Sequence, residues 1–468
     1  MKRLLFSLLI WGFLIQNGTG QNHANEKTIA NQIIQIALEE QQAHRWLSDL
    51  CKKIGPRLSG SQAAINAAYW AAQKLQQIGA DTVWLQPVVV PHWVRGATEK
   101  LIVHFQNGET QSLTISTLGG SVGTPPEGLS APVVQVPDFS TLNSLGDAVK
   151  GKIVFFDFPM DAKKVNTFRA YGEAVQYRVF GAQRAAQLGA VGVLIRSITT
   201  RHDDVPHTGV MLYNDSIPPI PAAALSWRAA DQLTNWLKQQ PHLRLTLRLS
   251  ARTLPDTINY NVIAEIHGKE RPEEIIVVGG HLDSWDVGCG AHDDGAGIVQ
   301  AMEVLSFFKR LNIVPKRTIR CVLFINEENG SKGARTYADF ATQEKARHYA
   351  AIESDRGGFT PRGFSVSADS ILIHHMQQWL PILQLARIEW IRPGGSGADI
   401  SRLKNCPLKI GYVPDDQRYF DFHHSANDVL EGVHPRELAL GSAAIGILTY
   451  LLSETHLYEP NPMPSATH

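Results

Sequence analysis

The sequence predicts an α/β fold: a mixed, mostly parallel sheet with helices on both faces, interrupted by a β-rich insertion. Three observations carry this. After about Pro255, short apolar runs alternate with stretches of helical periodicity, the pattern of βαβ units. Between residues 101 and 254 strand-like segments dominate instead. At 468 residues the chain is also longer than one compact core usually holds. The expected division is a leader over 1–20, an α/β domain assembled from 21–100 and 255–468, and an inserted unit over 101–254.

The elements follow in order. Lys2 and Arg3 precede the apolar run Leu4–Ile15, and the small or polar Gln16–Gly20 comes next. That is the order of a secretory signal peptide, and the run is shorter than the roughly 20 residues a membrane span needs. The mature chain is expected to begin near Gln21, to be soluble, and to be secreted or periplasmic. No other segment reads as membrane-spanning. From Glu26 to Ile78 the period is helical, with Ala67, Trp70, Ala71, Leu75 and Ile78 on one face and a turn at Ile54–Ser61. Thr82–Val90 is β-branched and apolar, a strand. Strands are expected at Lys100–His104, Ser112–Ser116, Ala131–Val136, Lys152–Phe156 and Val191–Ile195, and helices at Tyr177–Leu188 and Trp227–Leu237. His242–Leu249 alternates leucine with polar residues, which suits an edge or half-exposed strand. Strands Ile275–Gly280, Ile319–Ile325 and Tyr349–Ile352 then alternate with helices Gly297–Lys309 and Ser331–Ala341.

Lys+Arg and Asp+Glu balance at 44 each, and no basic run is interleaved with aromatics, so a nucleic-acid partner is not expected. Four cysteines, Cys51, Cys289, Cys321 and Cys406, are scattered without a CxxC pair. They permit three full disulfide pairings, and the sequence leaves their redox state open. Cys321, inside an apolar strand, reads as a free buried thiol.

The chemistry gathers at strand ends. The first of the three late strands runs into His281 and Asp283, and a glycine-laden loop with Asp293 and Asp294 follows. The second runs into Glu327 and Glu328, the third into Asp355. In open α/β sheets, ligands bind beyond the carboxyl ends of the strands. Taken singly, a histidine after a strand or a Glu-Glu pair is an ordinary surface feature. Taken together, converging carboxylates would raise one another's pKa unless a cation neutralised them. Imidazole plus carboxylate suits zinc in an open site, as one ion or a pair. His423 and His424 are adjacent, so at most one should enter a shared site from an extended segment. His292 and His423 read as neighbours rather than ligands. Asp294 either orients its loop or caps the helix near Gly295. Gly394–Ile400, with Asp399, reads as a pocket loop or a plain turn. Cys289 is a stray candidate ligand, and the sequon at Asn329 is expected to stay unmodified beside a metal site.

These motifs, in order, resemble the co-catalytic zinc aminopeptidases and glutamate carboxypeptidases. Gly280–Gly288, Pro91–Gly96 and Phe422–Ser425 look like the plasma glutamate carboxypeptidase (carboxypeptidase Q) branch. The resemblance covers nearly all of the mature chain. It implies two zinc ions, with Asp293 bridging, His281 and Asp355 on one, and Glu328 and His424 on the other. It further implies Glu327 as general base, Asp283 hydrogen-bonded behind His281, a protease-associated-like insertion and a homodimer. The implied activity is hydrolysis of dipeptides or short peptides from a free terminus. Two alternatives remain: an acyltransferase of the glutaminyl-cyclase type with a single zinc, and a non-catalytic peptide-binding homologue.

Overall fold

The computed structural model describes residues 24–344 and 346–458; the leader expected over 1–20 lies outside them. Two eight-stranded sheets organise the chain. In the first, the strands run in the order Thr82–Val94, Arg252–Ile266, Arg317–Phe324, Arg271–His281, Arg347–Glu353, Lys409–Pro414, Pro361–Ser367 and Trp390–Pro393. Four neighbouring pairs are parallel and three antiparallel, so this sheet is mixed and mostly parallel, as the sequence predicts.

Side-chain alternation divides this sheet between two cores. Val262, Ala264, Ile276 and Val278 pack against helices Gln62–Ile78, Ala296–Arg310 and Pro435–Glu454. Ile263, Ile275, Val277 and Val322 face the other way, onto Tyr337 and Ala338 of helix Lys332–Gln343. Burial on both faces is why the central strands read as unbroken apolar runs. Pro435–Glu454 was not among the expected helices. All of Gly441–Ser453 is buried, so the helix has no polar face and gives no amphipathic period. It is long and apolar enough to cross a bilayer, yet 89% of its apolar window is buried inside the fold, which is the burial of a core helix.

The second sheet draws every strand from residues 99–249, in the order Thr110–Leu113, Glu99–His104, Arg244–Leu249, Leu129–Val136, Ile153–Phe156, Gly192–Arg196, Ala222–Leu225 and Ile115–Thr117. It too is covered on both faces. Helices Phe139–Leu145 and Thr167–Gln187 lie over one, and Trp227–Gln239 over the other. Arg244–Leu249 is no edge strand: it pairs with Glu99–His104 on one side and Leu129–Val136 on the other. Its leucines are buried while Arg244 and Arg248 point outward. The alternation was legible, but two covered neighbours give no sequence signal. The helix expected from Tyr177 begins at Thr167, where Asn166 caps it by accepting from the Arg169 N–H at 2.9 Å. The strand expected over Ser112–Ser116 breaks at Thr114.

Candidate metal centre

His281 is the last residue of its strand and is almost fully buried. Its Nδ1 lies 3.0 Å from the Asp283 carbonyl oxygen. With Nδ1–H donating there, Nε2 keeps its lone pair and faces Asp293 Oδ1 at 3.2 Å and Asp355 Oδ1 at 3.5 Å. The expectation that the Asp283 carboxylate makes this bond is corrected. Its Oδ1 stands 3.9 Å from Nδ1 and instead accepts the Glu327 N–H at 3.1 Å, so the carboxylate orients the Glu327 backbone.

The loop before helix Ala296–Arg310 presents Asp293. The Asp428 carboxylate accepts two N–H groups from it, His292 at 2.7 Å and Asp293 at 3.1 Å. Asp294 takes both roles that its position suggested. It accepts from the His281 N–H and from the Gly297 N–H, each at 3.0 Å, tying the strand end to the first turn of the helix. The Asp293–Asp294 peptide bond is cis. Packing here leaves no room for a β-carbon at Gly297, where one would sit 2.0 Å from the Ser354 carbonyl oxygen.

Asp293 Oδ2 faces His424 Nε2 at 3.3 Å, and Glu328 Oε2 meets the same Nε2 at 2.9 Å. The two carboxylate oxygens of Asp293 thus serve two histidines on opposite sides. His423 departs from expectation. Its Nε2 reaches Asp293 Oδ2 at 3.8 Å, and its ring stacks on His424 at 3.5 Å between centroids. The reason is backbone: His424 has φ +59°, so the segment turns rather than extends and both rings face the loop. Residues from the second sheet's connections hold that turn. The Thr208 N–H donates to the His424 carbonyl at 2.9 Å, and His207 Nδ1 bonds the His423 carbonyl at 2.7 Å.

Charge explains what the cluster wants. Burial, with Asp293 adding to it against His424, pushes the Glu328 carboxyl above its ordinary pKa. Burial, together with Asp355 and Glu328 and opposed by His281, pushes Glu327 well above its own. Against burial, Glu328 and Asp293 lift His424 to about 9. Burial and neighbouring acids thus disfavour the carboxylate charges of Glu327 and Glu328, a balance that a bound cation would reverse. Among the described residues, Glu328 Oε1 is buried with no hydrogen-bond partner, where a free lone pair is costly. Ligating atoms of His281, Asp293 and Asp355 all lie within 4.8 Å of one another, as do those of Asp293, His423 and His424. Nitrogen and oxygen donors at this density fit a divalent metal.

The remaining expectations resolve simply. His292 Nε2 is 3.0 Å from the Gly432 carbonyl and its Nδ1 accepts the Gly358 N–H, so it is a packed neighbour. Cys289 turns its sulfur to Cys51, away from the cluster. The Asn329 side chain accepts from the Ser59 hydroxyl at 2.7 Å. Asp399 is buried, neither of its carboxylate oxygens bonded among the described residues, while its backbone N–H reaches Glu353. Beside the cluster lies a cavity of about 230 Å³, walled by Phe168, Tyr171, Tyr419 and Phe420 and reached by Arg178 and Glu327. Sequence reasoning missed Arg178, His207 and the aromatic wall. The helix and loop that carry Arg178 and His207 lie far from the strand ends in sequence and carry no motif. Asp428 lies four residues past the histidine pair, and nothing in its spacing gave it a role.

The model of peptidase family M28 matches residues 261–436. Human carboxypeptidase Q is 34% identical over 430 residues, covering 91% of this chain and 89% of that one. The chain belongs to peptidase family M28. It is accordingly a metallopeptidase. Among solved M28 structures, the peptidase M28 precursor of Shewanella amazonensis superposes with a TM-score of 0.88 at 34% identity, over 94% of this chain and 99% of that one. The zinc aminopeptidase BSAP of Bacillus subtilis has the same fold, with a TM-score of 0.64 at 19% identity over 87% of this chain and 93% of its own.

Proposed function

We propose that this M28 peptidase is an exported exopeptidase that holds two zinc ions and hydrolyses dipeptides or short peptides, with Glu327 as general base. One observation carries the reading: Asp293 offers one oxygen toward His281 at 3.2 Å and the other toward His424 at 3.3 Å. A carboxylate shared in this way suits a bridging ligand. His281 and Asp355 would complete one ion's protein ligands, and Glu328 and His424 the other's. When bound, the ions would supply Lewis acidity, polarising the scissile carbonyl and easing deprotonation of the attacking water.

The chain's own residues do the rest. Glu327, lining the cavity, takes the water's proton and returns it to the leaving amine. Asp283 fixes the Glu327 backbone, and its carbonyl fixes the His281 tautomer. The aromatic wall excludes water and limits the substrate to a short peptide. Arg178, nearly fully buried, reaches Tyr171 Oη at 2.8 Å and has no carboxylate partner among the described residues; it suits the free carboxylate of a substrate. The names of relatives, carboxypeptidase and aminopeptidase, support action at a free terminus. Export rests on the leader's residue order and a homodimer on the family resemblance; N-terminal sequencing of the mature protein and its sedimentation mass check the two.

Zinc content measured alongside dipeptide hydrolysis, in wild type and Glu327→Gln, tests the assignment. Activity should fall by about 10²–10⁴-fold while two zinc ions per chain stay bound. Surviving hydrolysis would remove Glu327 from the role. One ion per chain would favour the single-zinc acyltransferase reading, and none would favour the binding-protein reading. Arg178→Met should raise KM for peptides with a free carboxylate by roughly tenfold or more, the loss of a charged hydrogen bond, and leave C-terminally amidated peptides unchanged.

A further inference from the structure

Two of the four cysteines meet. Cys51 lies in the last turn of helix Gln42–Lys53, and Cys289 in the loop that leads to Asp293. Their sulfurs face each other at 2.6 Å across 238 residues of sequence. Both are half-buried at the margin of the main core. Cys321 and Cys406 are buried elsewhere, with the Cys406 thiol directed at the Leu408 carbonyl. Cys321 sits on strand Arg317–Phe324 in the main core and Cys406 in the core across the sheet. The same loop is already gripped from the N-terminal side. Arg57 donates from Nε to the Leu282 carbonyl, from Nη1 to the Cys289 carbonyl and from Nη2 to the Gly290 carbonyl, at 2.6, 2.5 and 3.1 Å.

We propose that Cys51 and Cys289 form a disulfide in oxidising surroundings, pinning the loop that presents Asp293 to the helix Gln42–Lys53. The oxidant is a low-molecular-weight or protein disulfide, RSSR. The Cys289 thiolate attacks one sulfur of RSSR, forming a mixed disulfide and expelling RS⁻. The Cys51 thiolate then attacks the Cys289 sulfur of that mixed disulfide and expels the second RS⁻. Two electrons pass from the cysteines to RSSR, and the two cysteine protons end on two RSH. The hydrogen bond shared with Cys51 and the nearby Arg57, opposed by burial, hold the Cys289 thiol below its ordinary pKa, which favours it as the first nucleophile. A bridge closing so long a span restricts the unfolded chain and fixes the loop at its glycine-rich stretch.

The test uses the full chain, incubated native with oxidised glutathione, denatured, blocked with N-ethylmaleimide and digested without reductant. Mass spectrometry should find the Cys51 and Cys289 peptides joined and two maleimide adducts, on Cys321 and Cys406; after dithiothreitol all four cysteines should be labelled. Four adducts in the oxidised sample, or glutathione left on Cys289 with Cys51 labelled, would overturn the proposal. In Cys51→Ser the joined peptide should vanish. The thermal midpoint of oxidised wild type should fall by about 5 °C on reduction, and an unchanged midpoint would refute the claim that the bridge pins the loop.

Discussion

Asp428 accepts the N–H groups of two successive residues, His292 and Asp293, and so decides where the Asp293 carboxylate points. In Asp428→Asn, one acceptor oxygen becomes an NH₂ facing a backbone donor. The expected cost is about 2 kcal/mol of stability, together with weaker zinc binding, measurable by calorimetry and zinc titration. A second buried acid lies away from the centre. Glu303 is almost fully buried and is pushed up to about 7 by burial. Unfolded, it titrates near its ordinary 4.5. Between those values the folded chain holds the proton that the unfolded chain has released, so stability falls as pH rises through the window and the loss is complete above it. Glu303→Gln should flatten that slope and stabilise the protein at pH 8 by up to about 3 kcal/mol, read as unfolding midpoints across pH 4–8.

Elements bring these residues together, and their legibility depends on how they are buried. Arg271–His281, Arg317–Phe324 and Arg347–Glu353 could be read because burial on both faces leaves apolar runs that end abruptly in polar ligands. Arg252–Ile266 could not: Pro255, Asp256, Asn259 and Asn261 interrupt it, and its first half is mostly exposed. Lys409–Pro414 and Pro361–Ser367 carry Pro and Gly and are short. The five residues expected as ligands come together in the structure, and their grouping was legible because they lie at strand ends, in a glycine-rich loop or in a histidine pair. Arg178 sits in a helix whose sequence says nothing about where it docks, and the stacking of His423 on His424 depends on one positive φ. Helix Ala296–Arg310 starts pressed against the Arg347–Glu353 strand end at Gly297. Gly297→Ala would force that start away from Ser354 and carry Asp294 with it. Folding stability should drop by about 1–3 kcal/mol, the usual cost of overpacking, with zinc affinity falling in parallel; chemical denaturation and metal competition measure the two.

Across the whole molecule, the centre lies where the two sheets' connections meet. Arg95 makes the principal tie. It grips Asp286 with two nitrogens, at 3.0 and 2.5 Å, and bonds the Ser116 hydroxyl on the second sheet at 2.9 Å. Trp285 lies against Gly119, where a β-carbon would sit 1.8 Å from its ring. Arg95→Ala removes a buried charge pair and should loosen the wall carrying Phe168, Tyr171 and Arg178. KM should rise several-fold, and limited proteolysis should cut faster near residues 95–99 and 250–252 than in wild type. The C-terminal helix acts at the same scale. Pro435–Glu454 fills the main core beside helices Gln62–Ile78 and Ala296–Arg310. Its length and apolarity would suit a bilayer as well as a protein core, and here the first sheet receives it. A chain in which that helix lost its place beside the sheet would expose a segment that lipid or another unfolded chain would take up.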